Sequence, residues 1–281
     1  MSEIITLLSL PPIFRGFIGM IISGLCFPLT GVMILRLKLI PLRYMLMHGV
    51  LLGGAIALAS SLPLIPVIIL TNILLVFLMV IVSKNQSFGF SGGSAALMVI
   101  SMALSSIITH IKDVPAKDSL NLLWGSPFAL SKKDIVLLFI LLICITLFLS
   151  LTFKNILSLF YNEEIAISMG IKVNLFYYII VFIIALVVAF GMKLLGAFLI
   201  DALLILPVLT ASSFLHCFIK KSSVKKLFIY SSLTGLIMAT VGYLISLRLD
   251  WPPSGGTAII SGVLFIFISI IQWIKKWKKE N

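Results

Sequence analysis

The sequence predicts an all-α polytopic membrane protein with about eight or nine transmembrane helices, on three observations. Mean hydropathy over the 281 residues is +1.24, and 61% of them are hydrophobic. Only 11% are charged, against about 25% in an ordinary soluble domain. The apolar residues gather into runs of about 20, long enough to cross a bilayer, with short polar or basic connections between them. In such a chain a net charge of +12 reflects the placement of Lys and Arg in cytoplasmic loops, and no nucleic-acid partner is expected from it. The start, MSEIITLLSLPP, has an acid and no basic region, so no cleavable signal peptide is expected. Cys26, Cys144 and Cys217 sit in apolar runs without CxxC spacing and read as small hydrophobes.

Pro11, Pro12 and Arg15 interrupt the first apolar residues, so the first dozen are expected along the interface. A first span then runs from about Ile13 to Leu35, and Arg36, Lys38 and Arg43 mark a cytoplasmic loop. The second span starts near Tyr44 and carries His48, Gly49, Gly53 and Gly54; the third covers about Leu64 to Val82. Beyond the polar loop Lys84 to Gly93, a fourth span reaches about Ile111. The longest polar connection, Lys112 to Asp134, contains Trp124 and Phe128, which suit a re-entrant or interfacial element. A fifth span covers about Ile135 to Phe153, and the chain stays out of the membrane until about Leu175. The sixth span ends near Phe190, and the seventh is the helix of Asp201. The basic loop Lys220 to Lys226 precedes an eighth span to about Leu247, and a ninth ends at Trp273 before the tail KKWKKEN. Alternating sides puts the N-terminus outside and the C-terminus in the cytoplasm, with 14 of the 21 Lys and Arg residues on the cytoplasmic side. Asn85-Gln86-Ser87 fits a glycosylation sequon, but that topology places it inside.

The stretch Gly191 to Ala211, GMKLLGAFLIDALLILPVLTA, stands apart because one carboxylate, Asp201, lies near its middle. A charge in hydrocarbon costs roughly 2.5–3.5 kcal/mol on insertion scales, so such residues usually face a polar cavity. Pro207 cannot donate a backbone hydrogen bond, which frees the carbonyl of Leu203. Together they suggest a polar pathway. The plainer reading is a buried acid bonded to a neighbouring helix, holding the bundle together.

Between the fifth and sixth spans lies YNEEIAISMGIKVN. Asn162 is a good N-cap, Glu163 and Glu164 fill the first turn, and Gly170 followed by Lys172 makes a stop. A short self-capped helix on the cytoplasmic face is expected, with Ile165, Ala166 and Met169 on its apolar side. It either packs on the ends of its own spans or docks into a groove on a soluble partner.

These residues carry a resemblance. The segment NEEIAISMGIKVNLFYYIIVFIIALVVAFGMKLLGAFLIDALLILPVLTAS resembles the permease subunits of the metal-ion ABC importers of the ABC-3 type, which take up zinc, manganese or iron. That family shows an acidic, Gly-terminated cytoplasmic helix, a span, and a run of the type LLGxLLxxALLxxPxxTA; here Phe198 replaces the first Leu after the Gly. Further similarity lies in LRLKLIPLRYMLMHGVLLGGAIAL, SLNLLWGSPFALSKKD and DWPPSGGTAIISGVLF, in the right order over nearly the whole chain. The resemblance implies one transmembrane permease domain over 1–281 with a type II-like ABC importer fold, in the bacterial cytoplasmic (plasma) membrane. It implies a homodimer, a pair of cytoplasmic ATP-binding subunits, and an extracytoplasmic metal-binding protein. Asn162, Glu163, Glu164, Ile165, Ala166, Met169 and Gly170 would form the coupling helix seated on the ATPase. No stably bound cofactor is implied, only a transported Zn, Mn or Fe ion, and the chain is not expected to be an enzyme. It has no GxxxxGK[ST] for nucleotide and no HExxH.

In this family the metal motif is Asp, three residues, then His. Here His48 holds the His position and Tyr44 the Asp position. The expectation is a transient metal way-station of His48 and Asp201, with Tyr44 as a third oxygen, as one site or as successive stations. Imidazole plus carboxylate suits Zn, Mn or Fe. Gly49 and Gly53 form a GxxxG face for close helix approach. His110, the pair His216-Cys217, and Trp251 beside Pro252 and Pro253 are weaker candidates for metal or binding-protein contact, and Trp273 and Trp277 read as interface anchors in lipid. The competing function is a secondary or proton-coupled transporter with Asp201 as its titrating group.

Overall fold

In hydrocarbon every peptide group must be bonded within the protein, and an apolar chain achieves this most simply as helix. The computed structural model describes residues 6–83, 89–115, 125–219 and 223–280, and of residues 276 and 278–280 only the backbone. The first five residues, the sequon at Asn85, Trp124, and Lys220 with Lys221 lie outside the described residues. The helices are α1 (Pro11–Arg36), α2 (Ile40–Ala59), α3 (Leu64–Ser83), α4 (Gly89–Ile111), α5 (Lys132–Tyr161), α6 (Glu163–Ser168), α7 (Val173–Leu195), α8 (Ala197–Phe218), α9 (Val224–Arg248) and α10 (Pro253–Glu280). Among the described residues nine of these, all but α6, are long and apolar enough to cross a membrane. The all-α polytopic fold is therefore present.

Three boundaries differ from the sequence reading, each for a local reason. Pro41 sits in the first turn of α2, where a missing N–H costs nothing. The helix therefore starts before Arg43, which is 3% exposed and belongs to the helix, not to a loop. Past Phe153 nothing breaks α5, and Ile156 and Leu159 are buried, so it runs on to Tyr161. Thirty residues make it about 45 Å long, beyond a ~30 Å hydrocarbon core. The stretch Gly191 to Ala211 is not one helix. Gly196 has φ +90° and ψ 160°, open to glycine alone, and divides α7 from α8.

The chain forms two compact units, Met1–Val32 with Ser126–Phe153 and Phe198–Asn281, and Met33–Gly125 with Lys154–Ala197. In the first, Pro28 inside α1 frees the carbonyl of Gly24. A Cβ on Gly235 of α9 would lie 2.3 Å from that oxygen, so the two backbones meet with glycine on both sides. Ser232 Oγ donates to Leu25 O at 2.9 Å beside this crossing. Tyr243 is wholly buried, donates to Ile13 O at 2.7 Å, and touches the rings of Phe17 and Phe128. In the second unit α2 packs against α3, α4 and α7. Its GxxxG face meets α3 as expected: a Cβ on Gly53 would lie 2.8 Å from Ile68 Cα.

The short helix α6 is capped at both ends. Asn162 Oδ1 accepts from Glu164 N at 2.7 Å. At the other end Gly170 has φ +76°, with Gly170 N bonded to Ile167 O and Ile171 N to Ala166 O, the Schellman pattern. Six residues cannot hold a helix by propensity alone, so the caps decide its stability. Asn162→Ala is expected to cost about 1 kcal/mol, read as roughly fivefold faster amide exchange across 163–168 with the spans unchanged.

Candidate functional site

The sequence-predicted ion ligands fall in different units, His48 and Tyr44 in the second and Asp201 in the first. His48 sits mid-way along α2, half-buried, with Nδ1 buried and no hydrogen-bond partner among the described residues. Tyr44 lies one turn earlier on the same face and is 42% exposed. The Arg43 guanidinium lies 4.3 Å from the Tyr44 ring centroid, a cation–π contact. That contact covers a ring face and places a positive charge beside Tyr44, which sequence reading missed because Arg43 looked like part of a basic loop.

Asp201 is the fifth residue of α8, one turn after the Gly196 break, rather than mid-helix. It is half-buried and is not without a partner. Near a helix start the unpaired N–H groups favour negative charge. Pro207 lies further along α8, where Thr234 Oγ1 is 3.3 Å from Pro207 O.

Among the described residues no group of three or more His, Cys, Asp or Glu side chains converges to hold a metal. His110 is exposed at the end of α4. His216 Nδ1 lies 2.8 Å from Ser212 O of its own helix, while Cys217 is half-buried. Trp251, Trp273 and Trp277 are exposed.

One polar residue missed from the sequence is Asn72, set in the apolar run of α3 and 1% exposed. A Cβ on Gly49 would lie 2.2 Å from its Oδ1. Neither amide atom has a hydrogen-bond partner among the described residues. The signal was available: a lone Asn in a membrane span invites the same question as Asp201.

The apolar side of α6 divides. Ala166 is fully buried, while Ile165 is 46% and Met169 64% exposed, and Ile167 is exposed too. Glu163 lines a cavity of about 220 Å³ together with Phe90, Asn174 and Tyr177. Tyr177 of α7 and Phe90 of α4 have ring centroids 5.1 Å apart. One face of α6 is thus fixed to its own unit, and large apolar side chains remain uncovered on another.

Comparison with known proteins matches residues 9–272 to the family model described as the ABC 3 transport family. The chain is 27% identical over 268 residues to the high-affinity zinc uptake system membrane protein ZnuB of Buchnera aphidicola, covering 94% of this chain and 97% of that one. It is 28% identical over 197 residues to ZnuB of Haemophilus influenzae, covering 70% and 75%. With the manganese import system permease protein ScaB of Streptococcus gordonii it shares 24% over 204 residues, covering 72% and 68%. Its fold matches the solved structure of PsaBC from Streptococcus pneumoniae in complex with Fab, with TM-score 0.81 and 21% identity over 95% of this chain and 94% of that one. A match over nearly the whole length, on a fold with nine apolar helices among the described residues, means that the chain belongs to the ABC 3 transport family as a membrane permease.

Proposed function

We infer that this chain is the permease subunit of an ATP-driven importer that moves a divalent transition-metal ion, Zn, Mn or Fe, from an extracytoplasmic binding protein into the cytoplasm. The family match over residues 9–272 carries this reading; relatives named for zinc uptake and manganese import support the cargo. The two units act as one permease domain, and two copies of the chain form a homodimer with a pair of cytoplasmic ATP-binding subunits. The chain is not itself an enzyme, because nucleotide hydrolysis belongs to those partners. It lies in a bacterial plasma membrane with its N-terminus outside, an orientation supported by the Lys and Arg of the cytoplasmic loops.

In this reading α6, residues 162–170 with their caps, is the coupling helix. Its exposed Ile165 and Met169 dock on the ATPase, and its buried Ala166, with the cavity-lining Glu163, passes the displacement to α7 and α4. The cargo ion meets Asp201 and His48, with the Tyr44 hydroxyl as an auxiliary oxygen. Few ligands suit transport, since an ion held by a full set would not leave. The test is ATP-dependent uptake of Zn²⁺ or Mn²⁺ into vesicles holding the complete complex. His48→Ala and Asp201→Asn are each expected to lower uptake at least tenfold at normal protein levels. Wild-type uptake in both variants removes them from the path, and uptake driven by a pH gradient without an ATPase overturns the importer.

A further inference from the structure

A buried amide in a membrane span normally serves as glue, bonding to a neighbouring helix or to its own backbone. Asn72 does neither. It lies mid-way along α3, 1% exposed, and neither Oδ1 nor Nδ2 has a hydrogen-bond partner among the described residues. Thr71 beside it shows the ordinary solution, donating to Val67 O at 2.8 Å. Leaving both ends of an amide unpaired in a low-dielectric interior is costly. The cost is not explained by packing, because leucine has nearly the same shape and no polar atoms.

Position supplies the explanation. A Cβ on Gly49 would lie 2.2 Å from Asn72 Oδ1, so the amide oxygen reaches the α2 backbone at the residue after His48. Consecutive Cα atoms are about 3.8 Å apart. His48 Nδ1 is itself buried without a partner among the described residues. Two unsatisfied groups, an amide oxygen on α3 and an imidazole nitrogen on α2, therefore stand at one level of the second unit. Gly49 permits this approach, since any side chain there would strike the amide. An amide oxygen suits the harder dications such as Mn²⁺, and imidazole suits Zn²⁺ and Fe²⁺.

We propose that Asn72 is a ligand residue of the ion path, lending its amide oxygen to the transported dication at the level of His48. This rests on the metal-importer reading above. It assigns to α3 a role in the path that sequence motifs placed on α2 and α8 alone.

The test compares Asn72→Leu, Asn72→Asp and His48→Ala in the complete complex, measuring uptake of Mn²⁺ and Zn²⁺ and the melting temperature with and without each metal chloride. Asn72→Leu is expected to melt no lower than wild type, yet to lose uptake at least tenfold. Asn72→Asp keeps an oxygen donor, so it is expected to restore uptake to within about threefold and to show a larger metal-induced rise in melting temperature than wild type. Asn72→Leu uptake within twofold of wild type, with His48→Ala defective, overturns the role of Asn72 and leaves the importer reading standing. Wild-type uptake in both Asn72→Leu and His48→Ala overturns the reading on which it rests. A lower melting temperature for Asn72→Leu, matched by an equal loss in Asn72→Asp, makes Asn72 structural and also overturns the proposal.

Discussion

Gly31→Val is expected to keep the chain from reaching its folded state. A Cβ on Gly31 of α1 would lie 1.8 Å from Leu204 O and 2.9 Å from Leu204 C of α8. Both are backbone atoms, so no rotamer change can relieve the overlap; the two helices would have to separate. That separation would expose side chains that are wholly buried, Val32 on α1 and Leu204 on α8 among them. Overpacking a core costs about 1–3 kcal/mol when side chains yield, and a backbone clash belongs at or above the top of that range. That is a large share of a typical stability of about 5–15 kcal/mol, and membrane helices associate through such close packing. The measurement is the amount of monodisperse protein after mild detergent extraction, expected to fall at least tenfold. Gly262→Ala is the control, because nothing lies within 4 Å of a Cβ there, and it is expected to leave the yield unchanged. Normal yield of Gly31→Val would mean that α1 and α8 do not cross at Leu204.

The parts of this molecule that are legible in the sequence are those written in composition and spacing. Apolar runs of span length set the nine span-length helices among the described residues near their expected places, since hydrocarbon leaves the backbone little choice. The helix α6 could be read almost residue by residue, because Asn162, Glu163, Glu164 and Gly170 each perform a local task that depends on no distant neighbour. Gly196 was harder. A glycine amid Leu and Ala reads as a close-packing position, and only its positive φ shows that it ends a helix. That single residue moves Asp201 from mid-helix to a helix start, which changes the field acting on the carboxylate. Arg43 was misplaced for the opposite reason: charge suggested a loop, whereas the Tyr44 ring next to it stacks on the guanidinium. Asn72 depended on knowing what faced it, and Gly49 supplies that from another helix. Only Asn72 was hidden by a tertiary partner; Gly196 was hidden by its own backbone conformation and Arg43 by the ring of its neighbour.

On the proposed importer reading, Ile165→Asp is expected to uncouple the permease from an ATPase docked on α6 while leaving the permease itself intact. Ile165 is the third residue of α6 and is 46% exposed, so an acid there buries no charge within the chain. The first turn of a helix favours negative charge, and α6 keeps its Asn162 cap and its Gly170 stop. The helix should therefore survive the change, and any loss reports on docking alone. In an apolar groove the new carboxylate would be desolvated without a partner. Loss of a central apolar anchor typically costs about 2 kcal/mol or more, a roughly thirtyfold weaker complex. The measurement is recovery of the ATPase on the immobilised permease, with ATP hydrolysis by the reconstituted complex as the second reading. Both are expected to fall by at least tenfold at an unchanged melting temperature of the permease, and Ile165→Leu is expected to keep both. If Ile165→Asp retains the ATPase and its activity, the exposed side of α6 is not the docking face. The force for transport would then have to enter the permease elsewhere.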